Sequence, residues 1–216
     1  MFRGIDIRGI LISLPVILLA LSVHEFSHGY VAYKLGDPTA RDEGRLTINP
    51  IAHIDPIGAL AMILMGFGWA RPVPVNPMYF KNRKQGMALV SLAGPLSNLI
   101  MAALTAVAYA FFIKYGGGLN PTGVHEIITL LFQLTISLNV GFAVFNLIPI
   151  PPLDGSKILA SVLPDKYYYN MLRYERYAFP ILMILLFFGV LTPLLSAMRG
   201  TIIKSLEQLI YFILGF

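Results

Sequence analysis

Cysteine is absent from this chain of 216 residues. No disulfide framework can form, and no thiolate is present to hold a metal. Charge is also scarce. Asp, Glu, Lys and Arg make up 12% of the residues, whereas a soluble domain carries roughly 25%. That deficit excludes an ordinary soluble fold. Internal repeats and low-complexity tracts are missing as well. What is present is apolar: 56% of the chain is hydrophobic, and its net charge is +5. The Lys and Arg residues flank apolar runs instead of forming one basic face. This excludes a nucleic-acid partner and points to an anionic lipid surface.

The apolar runs organise the chain. A membrane-crossing helix needs roughly 20 residues, and Ile10 to Leu35 supplies them before Gly36-Asp37-Pro38 ends the run. This stretch runs on without a cleavage site, so no removable signal peptide is expected. A polar segment from Arg41 to Pro56 follows. Ile57 to Trp69 is apolar but short, and alternate prolines at Pro72, Pro74 and Pro77 force extended backbone after it. Ile57 to Phe80 therefore reads as a segment that dips into the membrane and returns, with an edge strand at Pro72 to Val75.

Further spans are expected at Met87 to Lys114, Val124 to Ile148 and Tyr177 to Ser196. Glycines and Asn120-Pro121 turn the chain between the first two. Pro149-Ile150-Pro151-Pro152 stops the third, and a short helix follows from Ser156 to Leu163. A tyrosine-rich polar stretch runs from Asp165 to Arg176. Thr201 to Phe216 is short for a span and is expected to lie in the interface. The predicted fold class is an all-α polytopic membrane protein. It is a bundle of about four to five transmembrane helices with a membrane-dipping loop that includes a short β-hairpin. The whole chain reads as one domain, with a core over about 10–163 and C-terminal helices over 177–216.

Charge sets the expected orientation. Lys34, Arg41, Arg45, Arg71, Lys81, Arg83 and Lys84 follow the first span, and Lys157, Lys166, Arg173 and Arg176 follow the third. The turn after the second has Lys114, and Arg3 and Arg8 pull weakly the other way. The positive-inside rule places the larger groups in the cytoplasm of a multi-pass cell-membrane protein. Asp154 and the cytoplasmic end of the first span then lie at one depth, provided Ile57 to Trp69 does not cross.

That first span carries His24-Glu25-Phe26-Ser27-His28, an HExxH pattern. Residues four apart share one helix face, so both histidines can grip one metal ion, with Glu25 beside it as general base. Catalytic zinc takes three protein ligands and keeps one position open. The third ligand must be Asp, Glu or another histidine. Asp154 is favoured, because irregular backbone past the prolines can line a wet cavity, and an acid at membrane depth needs a cation. His53 is the rival ligand or a supporting residue, while His125 falls on the far face. Asn146 and Asn139 lie on one side of the third span, and Asn146 is a candidate substrate-binding donor.

Each of these has a blander reading. HExxH occurs by chance in soluble helices, but two histidines and a glutamate are expensive in a membrane span. Asp154 could be a turn residue before Gly155. Asn146 could make an interhelical hydrogen bond. Ser91, Gly94, Ser97 and Asn98 are small residues at helical spacing, which usually means close packing. A substrate contact for Asn98 is the sharper alternative.

These residues resemble the site-2 protease family of intramembrane zinc metalloproteases. His24 to His28 is similar to its zinc-binding helix. Asn146-Leu147-Ile148-Pro149-Ile150-Pro151-Pro152-Leu153-Asp154-Gly155 resembles its NxxPxxPLDG motif, and Ala93-Gly94-Pro95-Leu96-Ser97-Asn98 resembles its AGPxxN segment. Gly68 to Pro77 is similar to the loop before that helix. The likeness covers about Ile10 to Leu163.

The resemblance implies one zinc ion per chain held by His24, His28 and Asp154, with Asn98 helping to hold substrate. It implies cleavage of single-pass membrane proteins within or near the lipid bilayer, often to release a transcription or anti-sigma factor. The PDZ or CBS domain of many relatives is not seen, nor is a span ahead of the HExxH helix, as in a minimal prokaryotic member. A homo-oligomer is compatible with the sequence. Two other function classes stand beside the protease. A divalent-metal transporter would want ligands at several depths, and an inactive helix-binding scaffold would have no need of Glu25.

Overall fold

A computed structural model describes residues 7–65, 68–116, 123–164 and 177–215. The expectations for Arg3, for the turn at Asn120-Pro121 and for the tyrosine-rich stretch from Asp165 to Arg176 lie outside the described residues. Eight α-helices carry the rest: α1 (Ile7–Lys34), α2 (Thr39–Asp42), α3 (Pro56–Met65), α4 (Arg83–Gly116), α5 (Val124–Asn146), α6 (Asp154–Val162), α7 (Tyr177–Phe187) and α8 (Thr192–Leu214). The chain is an all-α, multi-pass membrane protein. Among the described residues, three helices are long and apolar enough to cross a bilayer: Ile12–Lys34, Arg83–Gly116 and Val124–Asn146. A fourth span exists if α7 and α8, bent by 80°, count as one.

Helix α4 is the centre of the bundle. It packs against α1, α5, α6 and α8. Its small residues explain why so many neighbours fit. Ala102, Ala106 and Ala110 are fully buried. Ala102 and Ala106 share a core with Ile136, Val140 and Val144 of α5, closed over by Leu195, Met198, Ile202, Leu206 and Ile210 of α8. With no hydrophobic drive between helices in lipid, such close backbone approach is what holds them together.

Two expectations at the C-terminal end and in the loop are corrected. The fourth span was expected to run to Ser196, with a short interfacial helix from Thr201. The break instead lies at residues 188–191, where Gly189 has φ +68° and Pro193 sits in the first turn of α8. A left-handed residue suits glycine, and proline suits a helix start. The hydroxyls of Ser196, Thr201 and Ser205 donate to carbonyls one turn back in their own helix, so they do not interrupt it. Helix α8 is therefore 23 residues long. Its Lys204, Glu207 and Gln208 form the exposed face.

The short β-hairpin is also absent among the described residues. A single antiparallel bridge, Ile54 with Ala70, is what remains. Pro72, Pro74 and Pro77 have no N–H, so a ladder cannot continue past Arg71, whose N–H reaches His53 carbonyl oxygen at 2.9 Å. The 10 residues of α3 are too few to cross. Residues 70–76 form a strap that runs back over α1. Gly58 permits this return, since a Cβ there would lie 2.1 Å from the Trp69 carbonyl oxygen.

The alanine seam of α4 makes a prediction. Ala106→Leu should destabilise the bundle by about 1–3 kcal/mol through overpacking. Leu104→Ala, at a position 66% exposed, should change little. Thermal unfolding in detergent compares the two.

Candidate metal centre

The two histidines of α1 face α4, and their rings are locked from behind. His28 Nδ1 donates to the Val90 carbonyl oxygen at 2.7 Å. A carbonyl can accept only, so this nitrogen carries the proton. His24 Nδ1 meets Asn98 Oδ1 at 2.7 Å. The Asn98 amide is itself oriented: its Nδ2 donates to the Ala20 carbonyl oxygen at 3.2 Å and to Asn139 Oδ1 at 2.8 Å. Asn139 is oriented in turn by donating to the Thr135 carbonyl oxygen. The chain of donors assigns the proton to His24 Nδ1 as well. Both Nε2 atoms are then left as lone-pair donors.

Those lone pairs converge. His24 Nε2 and His28 Nε2 are 3.0 Å apart, and each is 3.2 Å from Asp154 Oδ2. All three side chains are buried. Three electron-rich atoms this close, in a place with little water, repel one another unless a cation sits among them. Two imidazoles and one carboxylate suit zinc. Among the described residues they are the sole group of His, Asp and Glu arranged to hold a metal.

Two glycines permit the convergence. A Cβ on Gly94 would lie 2.4 Å from His28 Nε2 and 2.6 Å from His24 Cε1, so α4 can approach the histidines only without one. A Cβ on Gly155 would lie 2.2 Å from the Leu147 carbonyl oxygen. This lets the chain fold back after α5 and deliver Asp154. Asp154 is the first residue of α6, two residues earlier than the expected helix start. An acid suits that helix end.

A cavity of about 360 Å³ opens onto the cluster, lined by His24, Glu25, His28, Ser91, Asn146, Asp154, Lys157 and the strap residues Pro72 and Val73. Glu25 Oε2 accepts from Val73 N–H at 2.9 Å. A second cavity of about 550 Å³ meets the first at His24, Glu25, Asn146 and Pro152, and its remaining wall is mostly apolar, including Leu18, Leu21, Trp69, Phe142, Phe179 and Leu182.

The expected residues thus divide. His24, Glu25, His28, Asp154 and Asn146 share one site. Asn146 lines both cavities while its Nδ2 donates to the Phe142 carbonyl oxygen in its own helix. Asn98 does not fit the substrate contact proposed for it: it is fully buried behind His24, with its amide spent on orienting the ring. His53 stands outside the metal cluster, with Nε2 bonded to the Thr47 carbonyl oxygen at 2.7 Å. His125 stacks on Phe112, away from the site. Lys157 was not singled out from the sequence, although its place three residues after Asp154 puts both on one face of a short helix.

Comparison with known proteins agrees with this chemistry. Residues 119–189 match the model of peptidase family M50. YwhC of Bacillus subtilis, named as a zinc metalloprotease, is 40% identical over 195 residues, which is 87% of either chain. Rip2 of Mycolicibacterium smegmatis, with a name of the same kind, is 29% identical over 83% of this chain and 66% of its own. Zinc metalloprotease MJ0392 of Methanocaldococcus jannaschii is 33% identical over 71% of this chain and 35% of its own. No solved structure matches the chain. The chain belongs to peptidase family M50, the site-2 protease family of membrane zinc metalloproteases.

The packing behind the histidines predicts how zinc affinity responds to mutation. Asn98→Ala frees the His24 ring and should weaken zinc binding by about 10–100-fold, read by competition with a chelating dye. Gly94→Ala should lower zinc content in the purified protein, because the added carbon collides with both imidazoles.

Proposed function

We propose that this zinc metalloprotease is an intramembrane endopeptidase that cuts single-pass membrane proteins within or near the bilayer. His24, His28 and Asp154 are its metal ligands and Glu25 its general base. The observation that carries the reading is the convergence of His24 Nε2 and His28 Nε2, on a helix long enough to span, with Asp154 Oδ2 from the start of α6, beside Glu25.

Zinc, when bound by these three residues, polarises a peptide carbonyl and lowers the pKa of water. Every other step belongs to the protein. Glu25 takes a proton from the attacking water and returns it to the amide nitrogen as the C–N bond breaks. Its Oε2 is held by Val73 N–H, which leaves Oε1 to receive that proton. Asn146, on the wall shared by both cavities, would steady the substrate chain. Lys157 is a cation on the wet side, suited to negative charge that develops on the carbonyl oxygen.

The apolar cavity supports a membrane-embedded substrate. Its leucine and phenylalanine walls suit a transmembrane segment, and that segment would reach Glu25 without leaving an apolar environment. The basic loops favour a cell membrane, with the site toward the cytoplasm. A single such cluster among the described residues, in place of a ladder of sites at several depths, favours hydrolysis over metal transport.

Purified protein in detergent tests the reading. Wild type should hold zinc and cleave a single-pass membrane substrate. Glu25→Gln should keep its zinc and lose at least about 10²–10⁴-fold in rate. His24→Ala and Asp154→Ala should lose both metal and cleavage. Full zinc in Asp154→Ala would overturn the ligand assignment, and cleavage by Glu25→Gln would overturn the base.

A further inference from the structure

The strap from Arg71 to Asn76 is held at three points. At its centre Val73 N–H donates to Glu25 Oε2 at 2.9 Å. Upstream, Arg45 Nη2 donates to the carbonyl oxygens of Arg71 at 2.8 Å and Pro72 at 3.3 Å. Downstream, Asn76 N–H donates to Asp37 Oδ2 at 2.6 Å. Asp37 is fully buried and is fixed by Thr39, whose N–H donates to its Oδ1 at 3.0 Å.

The upstream pair acts through one rigid unit. The carbonyl of Pro72 and the N–H of Val73 belong to the same planar peptide group. Arg45 grips its oxygen while Glu25 accepts from its hydrogen. Pro72 and Pro74 flank this group with fixed φ and no N–H of their own. Rotating the peptide plane therefore breaks the Glu25 bond, and Arg45 opposes that rotation.

Arg45 is an expensive way to fix a loop. It is only 7% exposed, and its Nε finds no partner. Among the described residues it forms no ion pair within bonding distance of a carboxylate. A buried guanidinium on two backbone carbonyls is costly. Packing alone could have anchored the strap with an apolar side chain.

We propose that Arg45 is a positioning residue for Glu25: by holding the Pro72–Val73 peptide group it locks one oxygen of the Glu25 carboxylate and keeps the other free for the proton. The inference rests on Glu25 being the general base, as proposed above. It assigns a task to a residue that otherwise reads as one more positive charge in a loop.

The test uses full-length protein in detergent, as wild type, Arg45→Met, Arg45→Lys and Glu25→Gln. Hydrogen–deuterium exchange over residues 71–76, bound zinc, and kcat and KM on one membrane substrate are measured for each. Arg45→Met should keep wild-type zinc, exchange the strap about tenfold faster, and lose about 10–100-fold in kcat with KM within about threefold. Arg45→Lys, which can still donate to the Pro72 carbonyl, should recover most of both losses.

Wild-type exchange in Arg45→Met would overturn the inference, as would faster exchange with unchanged kcat. A loss confined to KM would make the strap a substrate contact, and loss of zinc would make Arg45 structural; either overturns it. An active Glu25→Gln is a different failure: it removes the general-base reading itself. An inactive Glu25→Gln beside a fully active Arg45→Met removes only the role of Arg45.

Discussion

Two hydrogen bonds from imidazole Nδ1 atoms to α4 set the terms for the rest of this structure. His28 is tied to the Val90 backbone and His24 to Asn98. Because these bonds fix both protons on the far side of the rings, both Nε2 lone pairs must face the same small space as Asp154. A protein that buries such a cluster at membrane depth has committed itself to a cation there. The fold then has to bring α1, α4 and the start of α6 together at one level. Two backbone features near the site serve that meeting, the missing side chain of Gly94 and the tight return at Gly155.

The polar groups behind the histidines show how this is done without water. Asn98 and Asn139 are both fully buried, yet their amides are used on carbonyls, on each other and on His24. Half-satisfied amides in this position would be more costly than an apolar core. Complete satisfaction turns them into a rigid backing that spans α1, α4 and α5. Pro95, in mid-helix on α4, is itself buried beside this backing.

Much of this was legible in the amino-acid order, and the rest was hidden for physical reasons. HExxH at a helical spacing placed His24 and His28 on one face, and the break after Asn146 drew attention to Asp154, and the structure brings these three side chains together. The three long spans were legible from hydropathy alone. The fourth span was expected to run to Ser196, whereas the deciding feature is Gly189 in a left-handed turn, a single residue inside an otherwise apolar run. The strap was read as a strand because alternate prolines do force extended backbone. What decided its structure was where the remaining N–H groups could go, and those partners, Glu25 and Asp37, are about 40 to 50 residues away in sequence. The task of Asn98 was hidden for the same reason: spacing on one helix cannot say which neighbour an amide will face.

Peptide hydrolysis in a membrane has to reconcile two solvents. Water must reach the metal, and an apolar segment must reach the same atoms. On the proposed function the two cavities would divide these needs. One is lined by His24, His28, Asp154, Ser91 and Lys157 among others, the other largely by leucine, phenylalanine and Trp69. They share His24, Glu25, Asn146 and Pro152 as a common wall. On the proposed function, Glu25 on that wall would take a proton from water and return it to the substrate chain, with little movement of its own. Val73 N–H holds one oxygen of Glu25, and on the proposed function this would let the proton travel while the carboxylate stays. On the same reading the arrangement would limit where a peptide bond is cut, since a bond presented at the meeting of the two cavities would lie within reach of both water and Glu25.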